Sequence, residues 1–157
     1  MSSDPHPVSI TILVADDDSE DRLMIQRAFQ KSQLVEALRF VEDGQALMDY
    51  LRRQGPYASP TDAPRPGLIL LDLNMPRKDG REALEEIKTD PDLRSIPVVV
   101  LTTSRDEEDV LRSYQLGVNS YVTKPVSFDG LVEAMQTLGR YWLKIVELPT
   151  VESKEMP

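Results

Sequence analysis

Three short apolar runs, at residues 10–15, 68–71 and 98–101, punctuate the chain, each rich in Ile, Val and Leu with little alternation. Strands buried on both faces of a parallel sheet have this pattern, because neither face has to meet water. Residues 37–41 and 120–122 are weaker strand candidates. Between the runs the apolar spacing becomes helical. Residues 19–31 carry Leu23, Ile25, Ala28 and Phe29, and residues 45–53 carry Ala46, Leu47, Tyr50 and Leu51. Residues 81–89 carry Ala83, Leu84 and Ile87 and stop before Pro91. Residues 106–116 carry Val110, Leu111 and Tyr114 and end at Gly117, a candidate left-handed cap. A last helix is expected from near Ser127, with Leu131, Met135, Leu138, Trp142 and Ile145, ending before Pro149.

Five strands alternating with five helices predict an α/β fold: a parallel sheet with helices on both faces. Pro56, Pro60, Pro64 and Pro66 mark residues 55–67 as a loop or stiff connection. The ends, residues 1–8 and 149–157, are expected to be disordered tails around a single domain over residues 9–148. A chain of 157 residues suffices for one domain with a proper core and is too short for two ordinary ones.

Composition narrows the function. Hydrophobic residues at 40% and charged residues at 29% suit a globular chain rather than a disordered one. A formal net charge of -9 opposes nucleic-acid binding through a general basic surface, since phosphates would be repelled. With no cysteine, disulfides, thiolate metal sites, a Cys nucleophile and a thioether-linked chromophore are all excluded, and a reducing cytosol fits. The N-terminus lacks a basic segment followed by a long apolar one, and no apolar run approaches the length of a membrane span. The expectation is a soluble cytoplasmic protein with no membrane partner.

Ligands of an open parallel sheet bind beyond the carboxyl ends of its strands, where the strand order reverses. The first strand ends in Asp16 and Asp17, the third in Asp72, the fourth in Thr102 and the fifth in Lys124 followed by Pro125. Three carboxylates, a hydroxyl and an ammonium therefore converge on one rim. Two carboxylates at 4 Å repel by about 4 kcal/mol at an effective dielectric near 20. Unless one takes up a proton, such a cluster calls for a divalent cation, and all-oxygen ligands suit Mg²⁺ or Mn²⁺. Phosphoryl transfer needs mainly positioning and charge neutralisation, and a carboxylate can be its nucleophile.

Four segments now acquire a joint meaning: Leu13-Val14-Ala15-Asp16-Asp17, the run from Leu71 through Asp72, Asn74 and Pro76 to Gly80, Leu101-Thr102-Thr103-Ser104, and Tyr121-Val122-Thr123-Lys124-Pro125. In order and spacing they resemble the four motifs of response regulator receiver domains, from about residue 10 to 144. The resemblance implies a flavodoxin-like doubly wound (βα)5 three-layer sandwich with strand order 2-1-3-4-5. It implies that Asp72 is the phosphoacceptor, and that Asp17, Asp72 and the backbone carbonyl of Asn74 hold Mg²⁺, with Asp16 assisting. Lys124 would pair with the phosphoryl group, its bond to Pro125 being cis. Thr102 would bond an arriving phosphoryl oxygen and Tyr121 would swing inward behind it. Asn74 and Ser104 would tune hydrolysis. Segments around Arg65-Pro66, Asp79-Gly80-Arg81-Glu82, Glu107-Glu108-Asp109 and the ending from Trp142 to Pro149 are similar to small single-domain regulators paired with phytochrome kinases. A light-sensing histidine kinase, a bacteriophytochrome, would be the partner, and a homodimer through the fourth and fifth helices and the fifth strand would be expected.

Blander roles compete at several positions. Asp18 or Ser19 can cap the first helix, and Glu20 and Asp21 favour its positive end as a solvated face. A calcium-hand loop counted from Asp16 fails, since Asp21 and Arg27 stand where Gly and Glu are required. Asp79 suits a turn before Gly80 better than a ligand. Tyr141 and Trp142 fit a core stripe. His6 lies in a Pro/Ser-rich tail, so a donor histidine has to come from a partner. Three rivals remain: a phosphate sink, a receiver-like scaffold that never accepts phosphate, and an aspartyl phosphatase of the haloacid dehalogenase type. Against the last, Asn74 occupies the position of that family's second Asp.

Overall fold

A computed structural model describes residues 11–31, 37–59 and 63–140. The chain runs β1 (Thr11–Ala15), α1 (Ser19–Lys31), β2 (Ala37–Val41), α2 (Gly44–Arg52), β3 (Leu68–Leu71), α3 (Gly80–Thr89), β4 (Val98–Thr102), α4 (Glu107–Leu116), β5 (Ser120–Thr123) and α5 (Phe128–Gly139). All pairings are parallel and the order is β2-β1-β3-β4-β5. With five helices, this is the flavodoxin-like doubly wound α/β fold. The strand order reverses at β1 and β3, so the crevice beyond their carboxyl ends is where a ligand belongs.

The described residues group into two units. The first, residues 11–22 and 37–124, contains the whole sheet with α2, α3 and α4. Leu13, Ala15, Ile69, Leu71, Val98 and Val100 from the central strands are buried with Leu47 and Met48 of α2 and Ala83, Leu84 and Ile87 of α3. Burying such side chains contributes about 1.5–3 kcal/mol each, which is what fixes the strands that deliver the site. The second unit, residues 23–31 and 125–140, contains most of α1 together with α5. There Ile25, Ala28 and Phe29 of α1 and Leu131, Val132, Met135 and Leu138 of α5 are buried.

Local chemistry explains the helix ends. Asp18 Oδ1 accepts from the amides of Glu20 and Asp21, capping α1. Asp79 and Glu82 form a reciprocal capping box at the start of α3, and Asp43, Asp106 and Ser127 cap α2, α4 and α5. Gly117 ends α4 at φ 104°, the left-handed cap its position predicts. Gly80 is required for another reason: a Cβ there would strike the carbonyl oxygen of Asp72.

Some expectations are corrected. Leu23, Leu111 and Tyr114, placed on apolar stripes by spacing, are exposed, because the helical period gives a face but not how much of it is covered. A short 3-10 turn, Gly55–Tyr57, lies inside the proline-rich connection, with Pro56 at its start where the missing amide costs nothing. Among the described residues no peptide bond is cis, so the bond from Lys124 to Pro125 is trans, the form favoured even before proline. Residues 1–8 and 149–157, with Ile10, Tyr141, Trp142, Ile145 and His6, lie outside the described residues.

Candidate functional site: an acidic cluster at the strand ends

Strand register builds the site. Ala15 stands opposite Leu71, so the next residues, Asp16 and Asp72, leave neighbouring strands side by side. The backbone carries this pairing onward, with the Asp72 amide donating to the Ala15 carbonyl at 3.0 Å. On the other flank Thr102 stands opposite Thr123, and the Lys124 amide donates to the Thr102 carbonyl at 2.8 Å. The sheet thus delivers four side chains to one end without any loop having to reach across.

Asp72 is 6% exposed, and both its carboxylate oxygens are engaged. Oδ1 accepts from Thr102 Oγ1 at 2.7 Å and from the Asn74 amide at 3.1 Å, and Oδ2 pairs with Lys124 Nζ at 3.0 Å. Lys124 Nζ also lies 2.7 Å from Asp16 Oδ2 and 2.7 Å from Asp21 Oδ2. One ammonium thus serves three acids. Burial alone would favour a neutral amine, but bonds from Asp16 and Asp21 outweigh it and raise the Lys124 pKa well above its ordinary value. Burial raises the carboxyl pKa of Asp16, only partly offset by Lys124 and by the Asp18 amide at 2.9 Å. The rim carries more negative charge than Lys124 can balance.

Carboxylate oxygens of Asp16, Asp17 and Asp72 lie within 4.8 Å of one another, with Asp17 the exposed member. This all-oxygen donor set fits a hard divalent cation such as Mg²⁺ or Mn²⁺, which would relieve the repulsion that burial intensifies. All the predicted ligand side chains are therefore brought together.

Residues expected to act around the acceptor form a second network. The Tyr121 hydroxyl donates to the Ser104 carbonyl at 3.1 Å, and the Tyr121 side chain is half-buried. The Ser104 hydroxyl donates to Asp109 Oδ2 at 2.7 Å, and Asn74 Oδ1 accepts from Arg81 Nη2 at 3.2 Å. Arg81 grips Asp109 with a two-pronged bond, both arms 2.7 Å. That bond, with one from Ser104, holds the Asp109 carboxyl below its usual range and the Arg81 guanidinium above its own.

Two participants escaped the sequence. Asp21, assigned to a solvated face, reaches Lys124, and nothing in its local sequence signals that contact. Arg81 and Asp109 lie in segments that the phytochrome-type similarity singled out, but only the fold shows that they meet.

A doubly wound sheet with an acidic cluster, a buried aspartate, a threonine and a lysine at its carboxyl rim defines a receiver domain. The chain belongs to the response regulator receiver domain family, whose model matches residues 12–136. It is 46% identical over 149 residues to the response regulator Rcp1 of Synechocystis sp., covering 95% of this chain and 99% of that one. Among solved structures, the phosphorylated cyanobacterial phytochrome response regulator RcpA superposes with a TM-score of 0.84 at 44% identity, over 91% of this chain and 100% of the other. The Mn²⁺-bound form of Rcp1 gives 0.82 at 46% identity, over 90% and 99%.

Proposed function

We propose that this protein is the response regulator of a two-component phosphorelay, taking a phosphoryl group onto Asp72 from a phosphohistidine on a partner kinase. The observation that carries this is the buried Asp72 carboxylate, oriented by Thr102, Lys124 and the Asn74 amide and flanked by Asp16 and Asp17. An Asp72 oxygen attacks phosphorus as the P–N bond breaks. The imidazole, already protonated on its other ring nitrogen in the phosphohistidine, keeps the P–N electron pair and leaves neutral, and an acyl phosphate remains. Asp16, Asp17, Asp72 and the Asn74 carbonyl are the groups that would hold Mg²⁺ or Mn²⁺, which supplies charge neutralisation to the transferring group. Lys124 binds the incoming phosphoryl oxygens, Thr102 donates to one of them, and Tyr121 over the Ser104 carbonyl reports the loop's position to α4. Asn74 and Ser104 flank the path of the hydrolytic water and set how long the acyl phosphate lasts.

The kinase is inferred to be a phytochrome-type photoreceptor, because the similar protein RcpA is named a cyanobacterial phytochrome response regulator. Output is a changed protein contact in the cytoplasm rather than turnover of a substrate or binding of nucleic acid. Pairing of two copies through α4, β5 and α5 is supported by Leu111 and Tyr114, exposed on α4 beside the edge strand β5. The domain extent over residues 9–148 is part of the same reading.

Labelling by acetyl phosphate with Mg²⁺, read on a phosphate-affinity gel, tests it. Wild type is expected to be labelled, Asp72→Asn to lose labelling entirely, and EDTA to abolish it in wild type. Labelling of Asp72→Asn at the wild-type level, or a wild type that EDTA leaves unaffected, would overturn the assignment.

A further inference from the structure

Arg81 does not touch the acceptor, yet it binds the loop after Asp72 and the helix after Thr102 at once. Its Nη1 donates to the Leu73 carbonyl at 3.3 Å, and its Nη2 donates to Asn74 Oδ1 at 3.2 Å. Its Nε and the same Nη2 donate to Asp109 on α4. Asp109 in turn accepts from the Ser104 hydroxyl. Ser104 lies two residues beyond Thr102, its amide 3.4 Å from the Thr102 hydroxyl that bonds Asp72. Its carbonyl receives the Tyr121 hydroxyl. A continuous chain of polar contacts therefore runs from Asn74 through Arg81, Asp109 and Ser104 to the two switching residues.

We infer that Arg81 is a positioning residue for phosphoryl transfer: with Asp109 it holds the β4–α4 loop where Thr102 already meets Asp72, before any phosphoryl group arrives. The inference rests on the acceptor assignment to Asp72. Three features argue that the pair does more than join two helices. Its fork geometry fixes direction as well as distance, which a lysine could not do. Its carboxylate also serves Ser104, in the β4–α4 loop rather than on α4 itself. Finally, α3 and α4 are separated beside the pair by a groove of about 160 Å³ lined by Arg81, Leu84, Asp109, Arg112, Ser113 and Leu116, so the ion pair bridges the two helices where they do not pack closely.

The test compares full-length wild type with Arg81→Gln, Asp109→Asn, the double variant and Arg81→Lys, labelled by acetyl phosphate over a range of Mg²⁺ concentrations. Each single variant is expected to lower the maximal labelling rate about fivefold, the scale of one lost orienting hydrogen bond. The double variant is expected to fall no further, since both substitutions break one chain. The Mg²⁺ concentration for half-maximal rate stays at the wild-type value, and Arg81→Lys recovers less than half the loss. Amide hydrogen exchange at residues 103–110, measured without any phosphodonor, is expected to quicken about fivefold in the same variants. Faster exchange with unchanged labelling would reduce the pair to a helix tether and overturn the inference, as would multiplying losses in the double variant or a shifted Mg²⁺ requirement. If one single variant fails to fold, the other carries the comparison. A wild type that is never labelled would sink the acceptor assignment instead, and the exchange data would still report on the chain.

Discussion

Helices α3 and α4 are equal in length, are both capped by an aspartate and both follow strands of the central sheet, yet they are held in different ways. In α3 the residues Gly80, Ala83, Leu84 and Ile87 are buried, and Gly80 presses against the backbone of Asp72 itself. In α4 only Ser113 is buried, and Leu111 and Tyr114 stand out into solvent at 61% and 50% exposure. What anchors α4 is mainly polar. Arg81 bonds Asp109, Arg112 lies 3.4 Å from Glu85, the Tyr114 hydroxyl accepts from the Tyr121 amide, and Leu116 packs partly against the core. Apolar burial is non-directional and resists any withdrawal from the core. A few directional bonds can be exchanged for others at small net cost. The fold therefore holds α3, beside Asp72, by apolar burial and α4 mainly by directional polar bonds.

The sharpest way to break this comparison is to cut each helix's apolar side. Ile87→Ala on α3 is expected to cost about 2–5 kcal/mol in urea unfolding, whereas Leu111→Ala on α4 stays within about 0.5 kcal/mol. Equal losses would show that α4 is as deeply anchored as α3. Cap removal comes next. Asp79→Ala dismantles the capping box and is expected to lower global stability by about 1 kcal/mol, because α3 unfolds together with the core. Asp106→Ala removes a similar cap, but its effect should appear as local hydrogen exchange in α4 with little change in the global midpoint.

The smallest effect is one of pH. Bonds from Arg81 and Ser104 hold the Asp109 carboxyl below its ordinary pKa near 4. A depressed carboxyl contributes stability that is fully present above its unfolded pKa and fades as pH falls through the folded one. Protection of residues 103–116 should therefore weaken below about pH 4, and Asp109→Asn should abolish that dependence. An unchanged pH profile in the variant would show that the ion pair does not anchor α4.

The cluster at the strand ends was legible in the sequence because Asp16, Asp72 and Thr102 close apolar runs and Lys124 closes the weaker fifth strand. A buried parallel strand has to stop at the sheet's rim, so whatever follows Ala15, Leu71, Leu101 and Thr123 is delivered there. The resemblance of the four motifs then supplied the strand order. Exposure on α4 was not legible, since spacing at Val110, Leu111 and Tyr114 defines a stripe without saying what covers it. Asp21 was misjudged for a related reason. An acid in the first turn of a helix is satisfied by the helix itself, and only the approach of Lys124 from 103 residues away gives it a second partner.

By itself, then, the order of apolar runs and punctuating residues determined the alternating architecture and the gathering of Asp16, Asp17, Asp72, Thr102 and Lys124 at one end of the sheet. These are consequences of local period and chain direction, which a sequence states outright. The partners of Asp21, the bridge from Arg81 to Asp109, and the contrast between a buried α3 and a lightly held α4 were decided only in three dimensions. Each depends on which surfaces meet after folding, and residues far apart in the chain have no local signal to announce that they will meet.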